Sequence, residues 1–391
     1  MERLIRKYED KLVAHGLCDP GAPLIGSRDE AVLWNRDDAL VPAMEEVFAG
    51  LNIASLLFAR PAEPFFSIME RVAHSPEARA GCIRPQDSET RTFLHDIPVL
   101  DAFVPRDIIA TLKRRKCVVV RSHGIVTYGT VSPEQAFVFF SSVCFSIYVK
   151  FFADYRDAVR AGTADAADRA VVERALASYE SFVARIPESP RLMRGPFTEP
   201  DDCLAAIVEA GRMTVECRMV DSFFGNISYR LGDTVYISQT GSSLDELGGM
   251  IDPCPMDNSS CAAITASSEL SAHRGIYRDP GVAAILHGHP KFAVIASLDC
   301  DDDACAHRGR CHVECARERF VGDVPIVPGE VGTGPHGLCN TLPPAMRGRR
   351  GAIVFGHGLF TTGAADFTDA FASLVSVERM CLEEYRQTIT G

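Results

Sequence analysis

Two tandem α/β domains, copies of one strand–turn–helix plan, are predicted by three observations: a length of 391 residues and two internal matches of constant offset. The length is a soft prior for two domains of about 100–200 residues each. The first match sets His357-Gly358-Leu359-Phe360-Thr361-Thr362-Gly363, followed by Ala370-Phe371, against His123-Gly124-Ile125-Val126-Thr127-Tyr128-Gly129, followed by Ala136-Phe137. In both copies the later Phe stands 14 residues after the His. The second match lies upstream and sets Ala283-Ala284-Ile285-Leu286-His287-Gly288-His289-Pro290 against Ala54-Ser55-Leu56-Leu57-Phe58-Ala59-Arg60-Pro61. The offsets, 234 and 229 residues, agree to within five, as a tandem duplication with one short insertion requires.

The elements follow in order. Val118-Val119-Val120 and Ala352-Ile353-Val354 are apolar β-branched runs that read as buried strands, and each leads through its His-Gly turn into a long helical pattern. The charge-free stretch 136–149 is 14 residues long, short of the about 20 a membrane span needs, and reads as a buried core helix. Residues 151–185 are rich in Ala, Glu and Arg and read as helical; Pro187, Pro190, Pro196 and Pro200 then break the chain. Asp201-Asp202 suits the start of the next helix. The expected organisation is a degenerate copy over 1–160, a helical linker over 161–200, and a catalytic copy over 201–391.

Composition narrows the partners. Forty basic against 52 acidic residues give a net charge of −12, and no long Lys/Arg cluster offers attraction to nucleic acid or anionic membranes. The first ten residues contain no apolar h-region, so no signal peptide is expected. Fourteen scattered cysteines fit a reducing, cytoplasmic compartment, with thiols used for packing or metal.

Candidate chemistry concentrates in the second copy. Side chains two apart on a strand share a face, so His287 and His289 present two imidazoles together. His357 follows another buried strand and abuts Gly358. Three neutral imidazoles with an open fourth position make the usual catalytic zinc arrangement; packed strand-end and turn histidines are the rival reading. Upstream, Gly225-Asn226-Ile227-Ser228 reads as a turn entering a strand, and Ser238-Gln239-Thr240-Gly241-Ser242-Ser243 as a strand leaving into a turn whose N–H groups and hydroxyls suit an anion. Ser267-Ser268-Glu269 opens a helix carrying His273 and Tyr277 at i+4 and i+8 from Glu269.

This ordered set resembles the class II aldolase/adducin family, whose members include fuculose-phosphate aldolase, rhamnulose-phosphate aldolase and ribulose-phosphate epimerase. The resemblance covers most of 201–391. It implies a central β-sheet sandwiched by helices and one catalytic zinc per chain on His287, His289 and His357. It also implies a substrate phosphate on Asn226, Thr240, Gly241, Ser267 and Ser268, and Glu269 as acid/base. The epimerase branch usually has Asp where Glu269 stands, which favours aldol chemistry.

The first copy departs from that pattern. Phe58 and Arg60 occupy the positions of the paired histidines, only His123 remains of the three, and Leu40 falls opposite Glu269. An apolar residue moves no proton, so this copy is expected to be metal-free and silent; the alternative is a different site around Arg60 and His123. Cys300, Cys305, Cys311 and Cys315, with His307 and His312 among them, form a dense cluster in an insertion. Four thiolates allow a structural zinc or an iron–sulfur cluster, with free thiols or redox chemistry as the other readings.

The expected activity is a metal-dependent aldolase, a lyase of carbohydrate metabolism that cleaves or forms a C–C bond beside a carbonyl of a phosphorylated ketose through a zinc-stabilised enolate. Dehydration or decarboxylation through the same site, and a non-catalytic adducin-like binding role, are the alternatives. The expected partners are a small, phosphorylated substrate and further copies of the chain, as a dimer or higher homo-oligomer.

Overall fold

A computed structural model of the chain describes residues 1–187, 190–220, 223–302 and 304–390; two positions of the Pro-rich stretch, 188 and 189, lie outside that range. The chain divides into two compact units, Met1–Tyr179 and Glu180–Gly391. Both are mixed α/β, each built on one sheet.

The first unit carries β1 (Leu24–Arg28), β2 (Val32–Trp34), β3 (Ser55–Ala59), β4 (Cys82–Ile83), β5 (Ile97–Leu100), β6 (Cys117–Val120) and β7 (Gly124–Gly129), in the order β2-β1-β3-β7-β6-β5-β4. The Val-rich run expected as a strand is β6, buried along its length because it is paired on both sides. The charge-free stretch 136–149 lies in helix Pro133–Arg160, the one helix among the described residues long and apolar enough to cross a membrane; it is mostly buried within the unit.

The second unit carries β8 (Asn226–Leu231), β9 (Thr234–Ser238), β10 (Ile251–Pro255), β11 (Ala284–Gly288), β12 (Arg319–Val321), β13 (Val324–Val327), β14 (Gly351–Val354) and β15 (Gly358–Gly363), in the order β10-β9-β8-β11-β15-β14-β13-β12. Apart from the extra edge strand β10, the wiring repeats that of the first sheet. In each, a single parallel pair, β5–β6 or β13–β14, sits in an otherwise antiparallel array. Helix Pro200–Glu216 starts at the residue before Asp201-Asp202, which lie in its first turn and face the positive end of its dipole.

The strand β11 is central. It pairs antiparallel with β8 and β15, and all five residues, Ala-Ile-Leu-His-Gly, are buried. Its register places His287 opposite Asn226 on one side and Phe360 on the other. The site is therefore assembled from one row across three strands.

Around the four clustered cysteines, the described residues from 299 to 318 contain no helix or strand. Successive tight turns, such as Arg308 N–H to the Cys305 carbonyl and Arg310 N–H to the His307 carbonyl, string the thiols along the chain. All fourteen cysteines lie among the described residues, and none of them forms a disulfide.

Candidate active site

His287, His289 and His357 converge: one ring nitrogen from each lies within 4.8 Å of the other two, and all three residues are buried. His287 is the penultimate residue of β11, His289 follows the strand, and His357 sits in the turn between β14 and β15. The His289 backbone N–H is anchored on the Met219 carbonyl at 2.8 Å, and the His357 N–H on the Val354 carbonyl at 3.0 Å. The Phe360 ring stacks on His287 with centroids 3.8 Å apart and planes 9° from parallel, which fixes the imidazole from one face. Phe224 lies parallel to His289 at 5.7 Å.

Two glycines make room. Gly358 lies so close that a Cβ there would stand 2.5 Å from the Gly288 carbonyl oxygen, 2.7 Å from His287 Cε1 and 2.8 Å from His289 Cδ2. Gly225 has φ +83°, a conformation that side-chain-bearing residues rarely adopt, and it turns the chain into β8 against the His287 carbonyl.

Glu269 stands at the N-cap of helix Leu270–Ile276, 5% exposed. Its Oε1 is 3.1 Å from His357 Nε2 and its Oε2 3.7 Å from His287 Nε2. Asn226 Nδ2 donates to Oε2 at 2.6 Å, while Asn226 Oδ1 is buried with no partner among the described residues. Burial alone would raise the Glu269 carboxyl. The hydrogen bonds from His357 and Asn226, with the attraction of the His287 and His357 rings whenever one carries a proton, outweigh it and hold the group below its ordinary range, ionised.

Burial pushes His287 down to about 3 and His289 well below the usual imidazole range, so both rings are neutral near pH 7. His287 Nδ1 lies 3.1 Å from the Leu359 carbonyl, an acceptor only, so the proton is on Nδ1 and the Nε2 lone pair points toward His289 Nε2 at 3.1 Å. Neutral ring nitrogens crowded together beside a buried anion fit a divalent cation: the donors suit zinc, and the positive charge balances Glu269.

His273 is fully buried; its Nδ1 meets Ser228 Oγ at 2.7 Å, and Ser228 Oγ in turn meets Tyr277 Oη at 2.7 Å. Burial pushes His273 down to about 4, and its Nε2 has no partner among the described residues.

The residues assigned to the substrate phosphate are distributed around this centre. An isolated bridge between Gln239 and Ala266 lays the turn after β9 beside the start of helix Leu270–Ile276, with Thr240 N–H on the Thr265 carbonyl and Ser267 N–H on the Ser238 carbonyl. Thr240, Gly241 and Ser268 are exposed there. Ser267 is buried, and its Oγ accepts the Glu269 N–H at 3.3 Å. The turn and the helix start thus form one polar rim, with Asn226 deeper, on the carboxylate.

Among the described residues the histidine triad is the group whose ligand atoms meet within metal-binding distance. Cys300, Cys305, Cys311 and Cys315 do not form such a group among the described residues. The Cys311 thiol, raised by burial with Cys315 and Cys300 in its neighbourhood, points to the His307 carbonyl, and Cys315 to the Arg317 carbonyl.

Two residues that hold the site escaped the sequence reading, Glu378 and Ser297. Glu378 is a lone acid between Leu374 and Leu382 on the buried face of the C-terminal helix Phe367–Thr390, and that is the signal that could have found it.

Comparison with known proteins places these observations. Residues 205–385 match the family model described as the class II aldolase and adducin N-terminal domain. A methylthioribulose-1-phosphate dehydratase from Gluconobacter oxydans is 29% identical over 185 residues, covering 44% of this chain and 86% of that protein. Among solved structures, the L-fuculose-1-phosphate aldolase from Thermus thermophilus aligns at 20% identity over 47% of this chain and 91% of that one, with a TM-score of 0.36. A sugar-phosphate aldolase from Thermotoga maritima aligns at 15% identity over 49% and 96%, with a TM-score of 0.36.

Proposed function

On the premise that residues 205–385 are a class II aldolase and adducin domain, we propose that the C-terminal unit is a metal-dependent lyase. It cleaves or forms a C–C bond beside the carbonyl of a phosphorylated ketose or related hydroxycarbonyl compound, through an enolate. The observation that carries this reading is a buried, ionised carboxylate within 3.1 and 3.7 Å of two of three converging imidazoles.

His287, His289 and His357 would hold the ion, which when bound acts as a Lewis acid on the substrate carbonyl and offsets several kcal/mol of developing negative charge. Glu269 handles the proton. In the cleavage direction the ionised Glu269 carboxylate takes the proton of the substrate hydroxyl as the C–C bond breaks to aldehyde and enolate, and then returns that proton to the enolate carbon. In the reverse direction the ionised carboxylate removes a proton from that carbon, a role worth about 10² to 10⁴ in rate. Asn226 Nδ2 keeps Oε2 in place, and burial keeps bulk water off the exchanging proton. The rim of Thr240, Gly241, Ser267 and Ser268, with Asn226, is the proposed phosphate site, and fixing that remote group orients the reacting carbons.

The test incubates purified protein with dihydroxyacetone phosphate in heavy water and follows deuterium exchange by NMR. Stereospecific exchange that disappears in Glu269→Gln and in His287→Ala is the expected result; no exchange by the zinc-loaded wild type overturns the aldolase reading. The relative from Gluconobacter oxydans favours a second reading, dehydration, in which Glu269 removes a proton from the carbon beside the carbonyl and the β-hydroxyl of the resulting, uncleaved enolate leaves as water. Loss of one water from methylthioribulose 1-phosphate, detected by mass spectrometry, would establish it.

The first unit reads as a metal-free copy of the second. Its repeated wiring supports duplication, and Leu40 stands at the N-cap of helix Val41–Ala49 as Glu269 stands at its own helix. Phe58, at the place of His287, packs edge-on against Phe103 at 5.3 Å, Phe103 lies 6.3 Å from the His123 ring, and the Arg60 guanidinium covers Phe66 at 3.7 Å. A phenyl ring and a guanidinium stand at the places of His287 and His289. Assembly as a dimer or higher homo-oligomer is part of the proposal, and a monomeric mass by light scattering overturns it.

A further inference from the structure

The seven-residue helix Lys291–Ser297 begins two residues after His289 and makes buried hydrogen bonds from both ends. Its N-cap residue is Pro290, which offers no side-chain acceptor. The acceptor comes from elsewhere. Glu378, fully buried on the C-terminal helix, takes the Phe292 N–H on Oε1 and the Ala293 N–H on Oε2, each at 2.8 Å. A carboxylate receiving two first-turn N–H groups is a charge-assisted cap, favoured again by the helix dipole.

At the other end, Ser297 is fully buried. Its Oγ donates to the Val294 carbonyl at 2.6 Å and accepts the Gly356 N–H at 2.8 Å. Gly356 is the residue before His357. One short helix is thus joined covalently to the His287/His289 pair at its start and by a hydrogen bond to the His357 turn at its end.

We propose that helix Lys291–Ser297 is a bracket that sets the spacing of the three metal-ligating histidines, with Glu378 and Ser297 as its two positioning residues. Neither side chain touches the ion; each acts through the backbone that carries a ligand. The inference rests on the metal reading given above. Supporting groups of this kind commonly change metal affinity 10- to 100-fold when removed, because ligand atoms must be held within about 0.5 Å of their bonding positions.

The test prepares wild type, Ser297→Ala, Glu378→Gln and His287→Ala without metal and verifies folding by circular dichroism. Zinc affinity is then measured by competition with a chromophoric chelator, and the visible spectrum of the cobalt-loaded protein is recorded as a readout of ligand geometry that chain stability alone does not move. Ser297→Ala is expected to weaken zinc 10- to 100-fold and to alter the cobalt spectrum, with Glu378→Gln shifting both in the same direction. Ser297→Ala that binds zinc within twofold of wild type, with an unchanged spectrum, overturns the bracket while leaving the metal reading standing. Wild type that takes up no zinc, or His287→Ala that binds it as tightly as wild type, overturns the metal reading and the bracket together.

Discussion

Replacing Gly358 by Ala puts one methyl group into the narrowest place in the site. The new Cβ would meet the Gly288 carbonyl oxygen at 2.5 Å, His287 Cε1 at 2.7 Å and His289 Cδ2 at 2.8 Å, short of ordinary contact at 3.4 Å by about 0.6 to 0.9 Å. The carbonyl belongs to a central strand paired on both sides, so it yields little. His287 is pressed between the intruding methyl and the Phe360 ring. The strain therefore goes into the two imidazoles and the turn that carries His357. Overpacking of this size costs about 1–3 kcal/mol, and displacing two ligands by a large part of an ångström is expected to weaken zinc at least 10-fold. The assay is chelator competition on the folded metal-free protein beside a thermal melt, with Gly248→Ala, where a Cβ meets nothing within 4 Å, as the control. Zinc affinity of Gly358→Ala within twofold of the control, with an unchanged melting temperature, would refute the argument that these rings are immobile ligands held at contact distance.

Two further expectations concern acid and metal stoichiometry. His273 has a folded value of about 4 against an ordinary 6.5, so the unfolded chain binds a proton there that the fold does not. Its contribution is present above pH 6.5 and is lost as pH falls toward 4, by about 2 kcal/mol at pH 5. Melting of the metal-free protein should therefore fall between pH 7 and pH 5, and His273→Gln should flatten that slope by about 4–8 °C; a variant with the wild-type slope would contradict this. Because the histidine triad is the group whose ligand atoms lie together among the described residues, elemental analysis should find one divalent ion per chain, unchanged in Cys305→Ser/Cys311→Ser and lost in His357→Ala. A second equivalent that vanishes with the cysteines would restore the metal reading of that segment.

What a sequence can disclose about such a site depends on range. His287, Gly288 and His289 are neighbours along a strand, and their geometry follows from the period of two. The His357-Gly358 turn and the Ser267-Ser268-Glu269 helix start are likewise short-range patterns. The contacts that bind these pieces together are tertiary. Asn226 reaches Glu269 because β8 lies beside β11 in one register, and no local pattern states a register. Glu378 lies 86 residues from the amide it caps, and Ser297 lies 59 from Gly356. Ser297 in particular looks like any small helical residue until its neighbour is known. The cysteine cluster is the opposite case: proximity along the chain suggests a centre, while the Cys311 and Cys315 thiols point to the His307 and Arg317 carbonyls.

The row Asn226–His287–Phe360 spans the middle of the second sheet, with every strand in it flanked on both sides. Backbone amides in such a place exchange with solvent deuterium only when the whole unit opens. Protection at Leu286 and His287 should consequently match the global unfolding free energy of the unit, so that loading and removing the ion leave the scaffold itself at rest.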